Sequence, residues 1–249
     1  MIYGLYNSAA GMMTNEYRQN VIANNLANAD TVGFKQQVAV FAERQPESVS
    51  GPRQGPSAPD LAALSGGLWL GRTYTDHGAG SLVYTDRSQD LALEGPGFLV
   101  VEDQGQQLYT RDGRLIKDAD GYLRSAADGV AILGTGGVPI RMNPHGSQPT
   151  FDEDGRVLQD NLVVGRLAIV DFDNYEQLQP AGHGRFTAGE AETISSPARV
   201  RPGYVENSGV APIKELVSMM ETSRAYQINA QMLTLQDQSI GQLIRTIAR

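Results

Sequence analysis

The chain has 249 residues, 41% hydrophobic and 19% charged, enough for one large core or two small ones and too apolar for a disordered polyelectrolyte. Its 20 Lys and Arg against 28 Asp and Glu give a formal net charge of −8, which argues against the phosphate backbone of nucleic acid as the main partner. Cysteine is absent, so disulfides, thiolate metal sites and cysteine nucleophiles are excluded, and no apolar run reaches the ~20 residues of a membrane helix.

The first thirteen residues place no basic stretch ahead of their apolar residues, so the start does not read as a cleavable secretory signal. All twelve prolines lie between Pro46 and Pro212, and only Gly4, Gly11, Gly33 and Gly241 interrupt the two ends. Proline and glycine cost about 3 and about 1 kcal/mol in a helix interior relative to alanine, so breaker-poor ends around a breaker-rich middle predict helix, β-rich body, helix. The ends are nearly neutral and the middle carries the negative charge.

The N-terminal segment spaces Ile2, Leu5, Ala9, Met12, Glu16, Gln19, Ala23 and Leu26 by alternating threes and fours, a helical seven-residue period with polar interruptions. It runs into a stretch containing Asn24, Asn25, Asn28, Gly33 and Phe34. Asparagine amides favour caps and turns, Gly33 suits a left-handed position, and Phe34 anchors the next segment. Residues 42–67, with four prolines, read as a linker or long loop.

From Leu68 onward strand patterns alternate with turns. Phe98-Leu99-Val100-Val101 is a buried-strand candidate. Asp112-Gly113, Asp120-Gly121, Asp128-Gly129 and Asp154-Gly155 are hairpin signals, because both residues tolerate positive φ. This pattern predicts a meandering antiparallel body, not a βαβ dinucleotide fold.

The C-terminal segment has the clearest period. Leu216, Met219, Ser223, Tyr226, Ala230, Leu233, Asp237, Ile240, Ile244 and Ile247 form a heptad seam, with Pro212 suited to the first helical turn. A second stripe of Ile213, Val217, Met220, Ile228, Met232 and Leu235 flanks it, so the helix needs more than one neighbour. An ordinary amphipathic helix folded onto its own domain is the plainer alternative. Two ends sharing one period most simply pair with each other, and their methionines read as packing residues rather than cofactor contacts.

Chemistry-bearing constellations are weak. Asp118-Ala119-Asp120-Gly121 and Asp152-Glu153-Asp154-Gly155 open like calcium loops, yet Tyr122 and Arg156 stand where the third oxygen ligand belongs, so turns explain them better. His77, His145 and His183 show no metal-site spacing, and Gly134-Thr135-Gly136-Gly137 lacks the lysine and helix of a phosphate loop. Acidic residues are numerous enough to supply the carboxylate pair of a glycan hydrolase, although Trp69 is the single tryptophan for a sugar cleft. A secreted surface module is a third class. No catalytic residue, metal ligand or cofactor is assigned.

Three stretches carry a resemblance. Ala23-Asn24-Asn25-Leu26-Ala27-Asn28 with Gly33-Phe34-Lys35 resembles the N-terminal motif of bacterial flagellar rod and hook proteins. Asp90-Leu91-Ala92-Leu93-Glu94-Gly95-Pro96-Gly97-Phe98 with Tyr109-Thr110-Arg111-Asp112-Gly113 is similar to that family's body motif. Gly203-Tyr204-Val205-Glu206-Asn207-Ser208, leading to Glu221-Thr222-Ser223-Arg224-Ala225-Tyr226-Gln227, resembles its C-terminal motif. Two departures, Ala29-Asp30 before Thr31 and Leu99 after Phe98, touch no heptad position.

The resemblance implies a structural rod subunit of the flagellar basal body. It would be exported through the flagellar apparatus without a cleaved signal, and be periplasmic in a two-membrane cell. Its partners would be copies of itself and other rod proteins, with basal-body ring proteins as further candidates. It would bind no nucleic acid, no cofactor and no metal, and would not span the membrane.

The expected fold is α+β. Residues 1–36 and 210–249 form a discontinuous helical assembly domain paired as a coiled coil or bundle, 37–80 a linker or extended segment, and 81–209 a mainly antiparallel β body. The expected subunit-interface residues are Leu5, Ala9, Met12, Leu26, Leu216, Met219, Arg224, Tyr226, Leu233, Ile240, Ile244 and Ile247. Asn24, Asn25, Asn28, Gly33 and Phe34 are the expected structural turn.

Overall fold

The computed structural model describes residues 2–43 and 68–247; from residue 44 onward the linker expected over 42–67 lies outside the described residues. The chain divides into two compact units. The first comprises Met1–Ala27, Gln37–Tyr74 and Ala211–Arg249, and the second Asn28–Gln36 and Thr75–Val210.

In the first unit, helix α1 (Ile2–Ala27) contains no proline, and a second long helix, Pro212–Ile247, opens with its proline in the first turn. Glu215 near the start of that second helix and Arg245 near its end both suit the helix dipole. The terminal helices pack together, and three contacts give their direction. A Cβ added to Gly4 would lie 2.8 Å from Gln236 Nε2, and one on Gly11 would lie 3.0 Å from Asn229 Nδ2. Asn25 Nδ2 donates to Glu215 Oε2 at 3.4 Å. Each seven or fourteen residues forward in one helix is matched by the same step back in the other, so the pair is antiparallel and in heptad register. Strands β1 (Gln37–Glu43) and β2 (Leu68–Thr75) pair in a two-stranded sheet.

The second unit is built from short strands, every assigned pairing antiparallel. In order they are β3 (Leu82–Tyr84), β4 (Leu91–Glu94), β5 (Phe98–Asp103), β6 (Gln106–Thr110), β7 (Leu115–Lys117), β8 (Leu123–Ser125) and β9 (Ala131–Ile132). After these come β10 (Thr150–Phe151), β11 (Arg156–Gln159), β12 (Leu162–Arg166), β13 (Ile169–Phe172), β14 (Gln179–Gly182), β15 (Arg185–Thr187), β16 (Thr193–Ser195), β17 (Arg199–Pro202) and β18 (Tyr204–Glu206). The final helix, Pro212–Ile247, is α2.

Strand β5 is central, pairing with β6, β9 and β13. Its alternate side chains enter two cores. Leu99 and Val101 join Leu91, Leu115, Leu123 and Val157, while Phe98 and Val100 join Tyr109, Phe172 and Phe186. Burial on both faces is why this strand reads as an unbroken apolar run rather than an alternating one.

Three of the Asp-Gly pairs turn the chain as expected, with Gly121, Gly129 and Gly155 at φ of +86°, +74° and +76°. The carboxylates of Asp118 and Asp152 accept main-chain N–H groups two and four residues on, as turn residues do. Asp112-Gly113 is different and corrects the hairpin expectation there. Gly113 is needed for close approach, since a Cβ would fall 1.7 Å from the Leu91 carbonyl oxygen.

His77 packs among Phe98, Tyr175 and Phe186, with ring centroids 5.0–5.8 Å away. Both of its ring nitrogens are buried without a hydrogen-bond partner. Burial first, and then the Lys35 cation, with Asp76 opposing and Arg111 adding least, push its pKa down from 6.5 to about 4. Between those values the unfolded chain binds the proton that the folded one refuses, so this histidine's contribution to stability falls as pH drops from about 6.5 to about 4. His77→Phe is expected to flatten that dependence and to raise stability at neutral pH by about 1 kcal/mol, because two unsatisfied nitrogens are removed. Urea midpoints of both proteins at pH 7 and 4.5 check it; parallel losses would refute it.

Candidate functional site

Two features stand out, a buried ionic anchor in the second unit and the outer surfaces of the helix pair in the first. The anchor centres on Glu206, at the end of β18 and 1% exposed. Its Oε1 accepts from Lys35 Nζ at 2.6 Å and from Gly80 N at 2.7 Å, and its Oε2 accepts from Arg111 at 3.4 Å. Lys35 also donates to the Gly78 carbonyl, and Arg111 to those of Leu93 and Gly95 while lying 5.3 Å from the Phe98 ring. Burial pulls the Lys35 ammonium below its ordinary pKa against the opposing charge of Glu206, and it pulls Arg111 down likewise.

Main-chain bonds stitch the same place. Gly33 N donates to the Glu206 carbonyl at 2.7 Å and Gly209 N to the Phe34 carbonyl at 2.9 Å. Gly33 has φ +70°, and a Cβ on it would sit 2.6 Å from the Arg111 carbonyl carbon, so both conformation and space require glycine.

The asparagines divide their work. Asn24 and Asn25 are still helical, at the end of α1. Asn24 is exposed and donates to Gln37 Oε1, whereas Asn25 is buried and bonds the Gln37 main chain in both directions, at 2.9 and 2.7 Å. Asn28 opens the turn, where its carbonyl accepts from Thr31 N. Phe34 is buried.

Leu5, Ala9, Met12 and Leu26 are half-buried on α1. On α2, Met219, Tyr226, Leu233 and Ile240 are half-buried, Leu216, Arg224 and Ile244 are exposed, and the side chain of Ile247 lies outside the described set. The apolar seam is therefore not what α2 buries most deeply. Glu215 and Thr222 are, at 5% and 2% exposure, on the heptad that continues through Asn229 and Gln236. The second stripe faces outward, with Ile213 80%, Ile228 60% and Leu235 57% exposed.

Sequence reasoning missed Lys35, Arg111 and Glu206 as a unit. The available signal was that each of the three motifs carries ionisable residues among its turn and apolar ones. It missed Glu215 and Thr222 because a hydrophobic period cannot select polar residues. Among the described residues no His, Asp or Glu group could hold a metal ion, and no helix is long and apolar enough to cross a membrane.

The same three motifs overlap matches to known families. Residues 5–35 match the family described as Flagella basal body rod protein, and 92–159 match the Flagellar hook protein FlgE/F/G D1 domain. Residues 201–246 match the Flagellar basal body rod FlgEFG protein C-terminal family. Lys35, Arg111 and Glu206 fall one in each. The chain is 32% identical to the flagellar basal-body rod protein FlgG of Buchnera aphidicola subsp. Schizaphis graminum, over 98% of this chain and 99% of the relative. It is 32% identical to the rod protein FlgF of Caulobacter vibrioides over 92% and 91%, and 29% identical to that of Mesorhizobium japonicum over 98% and 97%.

Removing the shared carboxylate leaves two buried cations uncompensated. Glu206→Gln is expected to destabilise the β body by about 3–5 kcal/mol in urea unfolding of the purified protein. Lys35→Met, which leaves Arg111 and the Gly80 N–H on that carboxylate, should cost clearly less; equal losses would refute a shared centre.

Proposed function

Since this chain belongs to the flagellar basal-body rod and hook family, a family of structural subunits, we propose that it builds the proximal rod, packing the outer stripes of its terminal helices against neighbouring subunits. The observation that carries this reading is the apolar outer face of α2, on which Ile213, Met220, Ile228 and Leu235 are exposed in the single chain. A contiguous exposed apolar surface marks an interaction site. Contacts between unlike faces that do not close generate an open filament, which is what a rod requires.

One feature supports the proximal place: the opening Gly4-Leu5-Tyr6-Asn7-Ser8-Ala9-Ala10-Gly11-Met12 resembles the proximal rod protein. The distal rod is the second reading, since relatives named FlgG and FlgF match this chain at the same 32% identity. Locating the labelled subunit by electron microscopy along isolated basal bodies separates the two.

In this reading the neighbours are other copies and other rod proteins, with ring proteins as further contacts, and the subunit reaches the periplasm through the flagellar export apparatus. Leu5, Ala9, Met12 and Leu26 on α1 belong to its interface, as do Leu216, Met219, Arg224, Tyr226, Leu233, Ile240, Ile244 and Ile247 on α2. The turn from Asn24 to Phe34 fixes the path of the chain leaving α1.

Because Met220 and Ile228 are exposed, Met220→Asp and Ile228→Asp should change subunit stability by less than about 1 kcal/mol in thermal unfolding. They should nonetheless deplete the subunit from basal bodies and abolish swimming; normal motility in both variants would sink the interface assignment.

A further inference from the structure

The first unit carries two exposed surfaces of complementary character. On the outer face of α2, Arg224 sits one helical turn after Met220 and one turn before Ile228, which places a cation in the middle of the apolar stripe. It makes no ion pair among the described residues, not even with Glu221 three residues earlier. On the other side of the unit, the outer face of α1 and the start of β2 enclose an apolar groove of about 530 Å³. Met13, Tyr17, Leu68 and Trp69 line it, with Glu16 and Asn20 completing its wall. Met13 is 71% and Trp69 64% exposed. Glu16 is exposed, is the one acidic residue of α1, and makes no ion pair among the described residues.

We infer that the α2 outer stripe of one copy of this chain seats in the α1–β2 groove of the next, with Arg224 meeting Glu16. The inference rests on the reading of the chain as a rod subunit and supplies what that reading leaves open, the acceptor surface. Charge complementarity carries it. An apolar stripe with one central cation matches an apolar groove with one carboxylate, and in such a seam a mispaired charge is penalised far more than on an open surface. Donor and acceptor lie on different faces of the same unit. A copy that gives its stripe to one neighbour therefore keeps its groove for another, the head-to-tail arrangement that growth of a filament requires.

The test is a charge exchange in full-length chains expressed in cells lacking the native copy, scored by the amount of subunit in isolated basal bodies. Glu16→Lys and Arg224→Glu should each lower incorporation by about tenfold or more, as mispaired charges at an interface do. The double variant should recover to within about twofold of the unsubstituted chain, since the pair is restored with its signs reversed. Protease resistance of the β body confirms that each variant folds.

Single variants that incorporate normally would overturn the inference. So would a double variant no better than the worse single one, or rescue of Arg224→Glu by a charge reversal in a different rod protein. Absence of the unsubstituted chain from basal bodies would instead overturn the rod reading itself, so the two failures are distinguishable.

Discussion

Everything in the second unit depends on how one buried carboxylate is satisfied. Glu206 lies in a region with almost no solvent, where an unpaired charge would cost several kcal/mol. It is tolerable only because an ammonium, a guanidinium and a main-chain N–H converge on it from three parts of the chain. Such a cluster is an inefficient source of stability but a strict one of arrangement. Lys35, Gly80 and Arg111 share the burial of Glu206, so one carboxylate ties the segment after α1 to the segment before α2. The main-chain bonds from Gly33 to Glu206 and from Gly209 to Phe34 then hold those segments side by side.

The helix pair obeys a different logic. Its closest helix-to-helix approaches set glycine against glutamine and asparagine, and asparagine against glutamate. Val21 and Ile22 of α1 are buried, whereas Ile213, Met220, Ile228 and Leu235 of α2 are exposed. Hydrophobic burial supplies most of the free energy of helix packing, so that exposed stripe is apolar area which the pair leaves uncovered.

Much of this was legible in the residues. The placement of proline and glycine marks where helix gives way to sheet, because those penalties are local and large. The run at Phe98 announces a strand buried on both faces, and Asp120-Gly121, Asp128-Gly129 and Asp154-Gly155 announce turns, since positive φ is a property of single residues. Asp112-Gly113 carries the same letters but serves the Leu91 crossing, a demand set by a strand about twenty residues away and invisible locally. The seven-residue period announced that both ends are helices and that they pack together. It did not reveal which face meets which, because apolar periodicity marks a surface that needs covering, not the agent that covers it. The ionic anchor escaped for a related reason: three residues distant in sequence become one site only through the topology.

The polar face between the helices has one more consequence. Gly4 opposite Gln236 and Gly11 opposite Asn229 are nearly interchangeable rungs, each a bare backbone facing a primary amide. A displacement of one helix along the other by a full heptad would set Gly4 against Asn229 and Gly11 against Thr222, at little chemical cost. Asn25 differs from those rungs, because its amide is already committed to both main-chain groups of Gln37 when it meets Glu215. A carboxamide near one end of two long helices therefore ties their register to the strand that follows α1, which a repeat of glycine and amide rungs does not do by itself.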